Sequence, residues 1–235
     1  MNDRMGSTGA VFIQTNEERN RVLAFARDAD GTLADPVAYE TGGRGSMTPH
    51  LPSQGSVVLS DDRRFLLVAN AGSGDVSVFR ADGTALELIG TTPTGGDVPR
   101  SIAERAGTVF VMNTGKPGIA SFRLTDEGLS PVMGGEVSLA ADADPAQIGF
   151  APDGRSLVVT QRGADAIAVL PVRDDGTTGE ATTIASSGPT PYGFAFTSNG
   201  TLVVTEAFDE GEVGRGRDHV RVAHRPNPTD AAFGL

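Results

Sequence analysis

The chain has no cysteine and no tryptophan among its 235 residues. The first absence excludes a disulfide scaffold, a thiolate metal site and a cysteine nucleophile, and it leaves the redox compartment open. The second excludes the Trp-Asp signature that marks one large class of repeat proteins. Lysine is almost missing as well. Lys116 stands alone against eighteen arginines, a bias that a GC-rich coding sequence explains. The formal net charge of -11 argues against nucleic acid as a partner, because a phosphate-binding face needs clustered Lys or Arg. Long apolar runs are absent too, and the N-terminal stretch MNDRMGSTGAVFIQ lacks the apolar core of a signal peptide. The expectation is a soluble, cytoplasmic chain with no membrane partner, unless an export signal stood upstream of Met1.

What the chain does have is turns. With 31 Gly and 14 Pro, and short β-branched runs such as SVVL, VSVF and SLVVT, it reads as all-β. No segment sustains the i, i+3, i+4, i+7 apolar spacing of a helix. One phrase recurs instead: VFIQTN ends at Asn16, LLVAN at Asn70, VFVMN at Asn113, LVVTQ at Gln161 and LVVTE at Glu206. The intervals are 54, 43, 48 and 45 residues. A second set of landmarks, DADG, RADG, TDEG and RDDG, keeps the same period with Gly31, Gly83, Gly128 and Gly176. Four short antiparallel strands per repeat of this length predict a β-propeller blade. A blade cannot bury both of its faces alone, and this is why the phrase has to recur.

The phrases LPSQGSVVLSDDRRFLLVANAGSGDVSVFR, DPAQIGFAPDGRSLVVTQ and GPTPYGFAFTSNGTLVVTEAF resemble the lactonase-type seven-bladed propellers, the family of 6-phosphogluconolactonase-like and carboxymuconate-cyclase-like proteins. The resemblance runs from about Gly9 to Phe208. Within it, repeat units fall near 9–43, 44–96, 97–139, 140–188 and 189–208. That is about five blades of four-stranded antiparallel sheet where the family has seven, so the ring is expected to be incomplete and to self-associate through exposed blade faces. The remaining 209–235 carries no blade phrase, although it holds four of the eighteen arginines. Two readings compete for this tail: a divergent edge with HVRVAH as a strand, or non-native, disordered sequence after a lost reading frame. The second is favoured.

Ligands of propellers sit at the channel rim, on the loops leading into each inner strand and those joining the second and third strands. Those loops are read here as 42–54, 94–99, 140–146 and 186–191, with the others starting at the repeated Asn, Gln or Glu. His50, Arg100 and Glu206 are the candidate catalytic groups: His50 or Glu206 as base, and the arginines as holders of the developing oxyanion and the acid. Gln54, Asn70, Asn113, Asp144, Gln147, Arg162 and Tyr192 are the candidate substrate-binding set. Against this, Arg100 and Arg162 could simply pair with acids such as Asp97 and Asp165, and the amides could cap turns. The family's rim phrases resemble Gly-Pro-Arg-His. The nearest match here, GGDVPRSIAE, keeps Arg100 but has Ser101 where the histidine would stand.

No metal site is expected. DADGT lacks the spacing of an EF-hand loop, and a rim calcium held by Asn70, Asn113 and Glu206 is the weaker alternative to turn capping. No other cofactor is expected. The resemblance implies hydrolysis or formation of a small carboxylated lactone of the sugar-acid type. The alternatives are a non-catalytic propeller that binds a protein or glycan, or a truncated product without activity.

Overall fold

The computed structural model describes residues 9–48, 54–208 and 219–225. Among them there is no helix, and so none long and apolar enough to cross a membrane. Five antiparallel sheets follow one another along the chain. The first is β1 (Gly9–Gln14), β2 (Arg21–Arg27) and β3 (Val37–Glu40), and the second is β4 (Val57–Leu59), β5 (Phe65–Asn70), β6 (Asp75–Asp82) and β7 (Ala85–Pro93). The third comprises β8 (Pro99–Arg105), β9 (Thr108–Asn113), β10 (Gly118–Thr125) and an outer strand in two pieces, β11 (Gly128–Pro131) and β12 (Val137–Ser138). The fourth is β13 (Pro145–Phe150), β14 (Ser156–Gln161), β15 (Ala166–Pro171) and β16 (Thr182–Ala185). The fifth is β17 (Pro191–Phe196), β18 (Leu202–Phe208) and β19 (His219–Arg225). Each sheet is a meander, the arrangement of a propeller blade.

Local chemistry accounts for the meanders. Gly31, Gly83, Gly128 and Gly176, the glycines of the four Asp-Gly or Glu-Gly phrases, all sit at positive φ in the hairpins that join third to outer strands. A side chain at these positions would strain the turn. The second strands β5, β9 and β14 are apolar nearly throughout and buried on both faces. They do not alternate, because each blade is sandwiched between two others. Among the described residues the first blade has no inner strand, as its sequence phrase implies. In the fifth, β19 pairs with β18 from Leu202↔Arg225 to Phe208↔His219, so part of the tail forms a third strand.

Alternate residues of the second strands serve opposite neighbours. Leu66 and Val68 pack on Val22 and Ala24 of the first blade, whereas Phe65, Leu67 and Ala69 pack on Ile102, Val109 and Val111 of the third. Phe110, Met112 and Ile119 meet Ile148, Leu157 and Val159, and Ile167 and Val169 meet Leu202 and Val204. Every core cluster thus joins consecutive blades, and among the described residues none joins the fifth blade to the first. Phe110 is fully buried, with Phe150 edge-on at 5.7 Å. Phe110→Ala is expected to lower the unfolding free energy by about 3–5 kcal/mol in denaturant titrations. A loss below about 1 kcal/mol would mean that the interface between the third and fourth blades collapses around the cavity.

Candidate functional site

The three complete lead-in loops end in the same way. Val98, Asp144 and Thr190 each adopt positive φ and are followed by Pro99, Pro145 and Pro191, which open the inner strands. The prolines pair with Asn113 and Gln161, the last residues of β9 and β14, and with Glu206 near the end of β18, and the register slips immediately after each proline. Such a bulge turns the next side chain out of the ladder. Those side chains are Arg100, Ala146 and Tyr192. The proline recurs at equal intervals, a signal visible in the sequence that repeat counting alone did not use.

Arg100 of the third blade, Asp144 and Arg162 of the fourth and Tyr192 of the fifth converge. The two carboxylate oxygens of Asp144 lie 2.8 and 2.7 Å from one terminal nitrogen of Arg162. The Arg162 guanidinium stacks over the Tyr192 ring at 5.4 Å from its centroid. Arg162 and Asp144 are also tied through the backbone, since the Arg162 N–H donates to the Asp144 carbonyl over 3.1 Å. The Nε atoms of both arginines are buried without a hydrogen-bond partner. Burial, with the Arg162 charge second, pulls the Arg100 guanidinium below its usual range, while Asp144 and Tyr192 oppose this. Burial also raises the Tyr192 phenol, against the pull of the two arginines. Side chains of three consecutive blades can meet only near the propeller axis.

The inner strands are laced together around this axis. Ile102 N–H donates to the Gly55 carbonyl over 2.8 Å, and the Ser101 hydroxyl donates to the Gln54 carbonyl while accepting from Ile148 N–H over 3.1 Å. Gln147 donates to the Phe194 carbonyl over 3.1 Å and accepts from its N–H over 2.8 Å. The Gln147 amide is therefore committed to the fifth blade and is not free for a ligand. Gln54 is exposed, and a Cβ on Gly193 would lie 3.4 Å from its Cγ, so the second and fifth blades approach each other at the centre. His50 lies outside the described residues.

Asn70, Asn113 and Glu206 are buried and hydrogen-bonded to neighbouring chain. Asn70 is fully buried; its amide donates to Asp75 over 2.6 Å and Ser77 over 2.7 Å, and its oxygen accepts from Asn20 over 2.8 Å and Thr41 over 2.9 Å. Asn113 accepts from Thr94 over 2.8 Å. Glu206, also fully buried, accepts through one oxygen from the Ser186 hydroxyl and Gly188 N–H, both over 2.7 Å, while its other oxygen is unpartnered. In each case a residue at or near the end of a second strand latches the chain that leaves the preceding blade. The approach is so close that a Cβ on Gly43, Gly96 or Gly188 would lie 2.4, 2.7 or 2.4 Å from the latch side chain. The recurring TGG, TGG and SSG at 41–43, 94–96 and 186–188 mark these latches in the sequence. The three groups sit in three different latches, and no group of three His, Asp or Glu side chains placed to hold a metal ion occurs among the described residues. Asp165, offered as a partner for the arginines, instead accepts from Thr190 N–H over 2.7 Å.

The profile of the lactonase, seven-bladed beta-propeller family matches residues 6–128 and 127–213. The chain belongs to this family. Among solved structures, the lactonase-family fold here is similar to a candidate 6-phosphogluconolactonase of Bacteroides uniformis, with a TM-score of 0.68 at 16% identity, covering 93% of this chain and 68% of that one. It is similar also to the periplasmic gluconolactonase of Pseudomonas aeruginosa, with a TM-score of 0.64 at 15% identity over 93% of this chain and 69% of that one. Hydrazine synthase of Kuenenia stuttgartiensis reaches 0.66 at 19% identity over 95% and 61%. At such identities the likeness carries the fold alone. No curated protein matches this propeller by sequence.

Proposed function

We propose that this propeller binds a small lactone of the sugar-acid type, or the carboxylic acid derived from it, at the Arg100–Arg162–Tyr192–Asp144 cluster, and interconverts the two. One observation carries the reading. Arg162 is paired with the Asp144 carboxylate, Arg100 lies beside the pair with no ion pair among the described residues, and both retain an unpartnered buried Nε, so the cluster has positive charge to spare near the axis. A planar guanidinium is matched to a carboxylate, and a second one beside it can hold the oxyanion that forms when water adds to the lactone carbonyl. Family membership supports the reaction class.

The test is proton release during hydrolysis of gluconolactone, corrected for the spontaneous rate. Turnover by the wild-type chain that falls on Arg100→Ala is expected; a rate no higher than spontaneous hydrolysis would refute turnover. The second reading, non-catalytic binding of the acid, is favoured by one observation: Glu206, the carboxylate expected to activate water, is locked in a latch. Calorimetric binding of gluconate without lactone turnover would select it.

The exposed Ile13, Leu33 and Val37 of the first blade also support self-association. Light scattering on the full chain is expected to give a mass above the monomer, and a monodisperse monomer would reject this.

A further inference from the structure

We infer that a cleft between the second and third blades, separate from the rim cluster, is a binding site for a small carboxylate of about the size of acetate. The latch of the third blade has lost the side chains that fill this place in the second, and it keeps the donor that those side chains would satisfy.

The strand register shows the loss. In the second blade Asn70 pairs with Asp75 and Val68 with Ser77; the corresponding pairs in the third are Asn113 with Gly118 and Val111 with Ala120. Asn20, whose carbonyl accepts from Thr41 N–H, has its counterpart in Gly74, whose carbonyl accepts from Thr94 N–H over 3.0 Å. The Asp75 carboxylate, the Ser77 hydroxyl and the Asn20 amide are thus replaced by Gly118, Ala120 and Gly74, none with a polar side chain. Asn113 keeps only the bond to Thr94. Its side-chain NH2 has no acceptor among the described residues, although Asn113 is 3% exposed. A buried donor without an acceptor is costly, and a ligand oxygen that meets it recovers the loss.

A cleft of about 120 Å³ lies where the side chains are missing, lined by Thr94, Asn113, Gly118 and Ala120 together with Lys116 and Glu136. A cavity of about 150 Å³ holds a benzene ring, so this one suits a ligand of about four to six non-hydrogen atoms. The second blade shows which chemistry the place accepts: there the Asn70 amide donates to the Asp75 carboxylate over 2.6 Å. The chain cannot supply that acid itself in the third blade, because a Cβ on Gly118 would lie 2.9 Å from the Val137 carbonyl oxygen. A free carboxylate can accept from Asn113 and turn its other oxygen to Lys116, the single lysine of the chain. Glu136 opposes an anion here and sets the affinity lower than it would otherwise be.

Acetate and its neutral isostere acetamide are the probes, and the Asn113 side-chain amide signals are followed by NMR of the isotope-labelled full chain. Acetate is expected to saturate those signals with a dissociation constant of about 1 mM, and acetamide to bind about tenfold or more weakly. Lys116→Gln should weaken acetate about fivefold, and Glu136→Gln should tighten it by a similar factor. Ala120→Ser restores the counterpart of Ser77, which accepts from Asn70 and donates to the Thr41 carbonyl, so it should block acetate while the melting transition holds or rises. The double variant Arg100→Ala, Arg162→Ala should leave this titration unchanged, which separates the site from the rim reading. No saturable shift at acetate concentrations about fiftyfold above the expected constant means that only water fills the cleft, and it overturns the inference. Equal binding of acetamide overturns the carboxylate assignment. Loss of the shift in the arginine double variant overturns the location, as does unchanged affinity in both Lys116→Gln and Glu136→Gln. These two exposed positions decide the matter if Ala120→Ser fails to fold.

Discussion

Asn70→Ala should cost about 3–5 kcal/mol of unfolding free energy, enough to take up much of the stability of an ordinary domain. Asn70 is fully buried, and its amide uses both ends: two donations within its own blade and two acceptances from Asn20 and Thr41 of the preceding one. Truncation would strand the buried Asn20 amide and the Asp75 carboxylate, and would empty the space against which Gly43 is pressed. Thr41 suffers less, because its hydroxyl can still donate to the Asn20 carbonyl over 3.0 Å. Asn70→Asp separates hydrogen bonding from packing. The shape is kept, but the donors to Asp75 and Ser77 become an acceptor facing a carboxylate, so the loss should be at least as large. Denaturant unfolding followed by circular dichroism measures both. A loss under about 1 kcal/mol for either variant would show that the latches follow from the blade packing and do not hold it.

The double replacement Arg100→Ala, Arg162→Ala should reduce lactone turnover by about 10³-fold or more, since removing even one oxyanion donor commonly costs 10²–10³-fold. Stability should move the other way or not at all. The two guanidiniums repel each other, and only Arg162 has a counter-ion, so deleting both removes a like-charge contact along with the ion pair. Arg162→Lys is the sharper single variant, because it keeps the charge and loses the planar fork that stacks on Tyr192 and engages Asp144. If the fork matters, Arg162→Lys should fall nearly as far as Arg162→Ala. Turnover of the double variant within about fivefold of wild type would remove these residues from the reaction.

The repeat was legible because each blade is written in local chemistry. Positive φ at Gly31, Gly83, Gly128 and Gly176 needs glycine wherever the hairpin occurs, and a strand buried on both faces needs an uninterrupted apolar run such as FLLVAN or SLVVTQ. Period, strand count and family follow from these without any long-range contact. The residue types of the rim, arginines among acids on the lead-in loops, were equally open to reading.

Only the tertiary structure decided which of those residues are committed to neighbouring blades and which converge near the axis. Gln54 and Gln147 occupy matching places in the repeat, yet one is exposed and the other is bonded at both ends of its amide to Phe194. Asn70, Asn113 and Glu206 look alike in the sequence as strand-ending polar groups, and they turn inward because Thr41, Thr94 and Ser186 reach them from the preceding blade. Arg100, Asp144, Arg162 and Tyr192 come from three blades and meet near the axis. The sequence thus determined the blades, whose interactions run along the chain. The stacking of the blades decided the latches and the rim, because the contacts that commit or free each polar side chain run between repeats, a direction in which residue order carries no local signal.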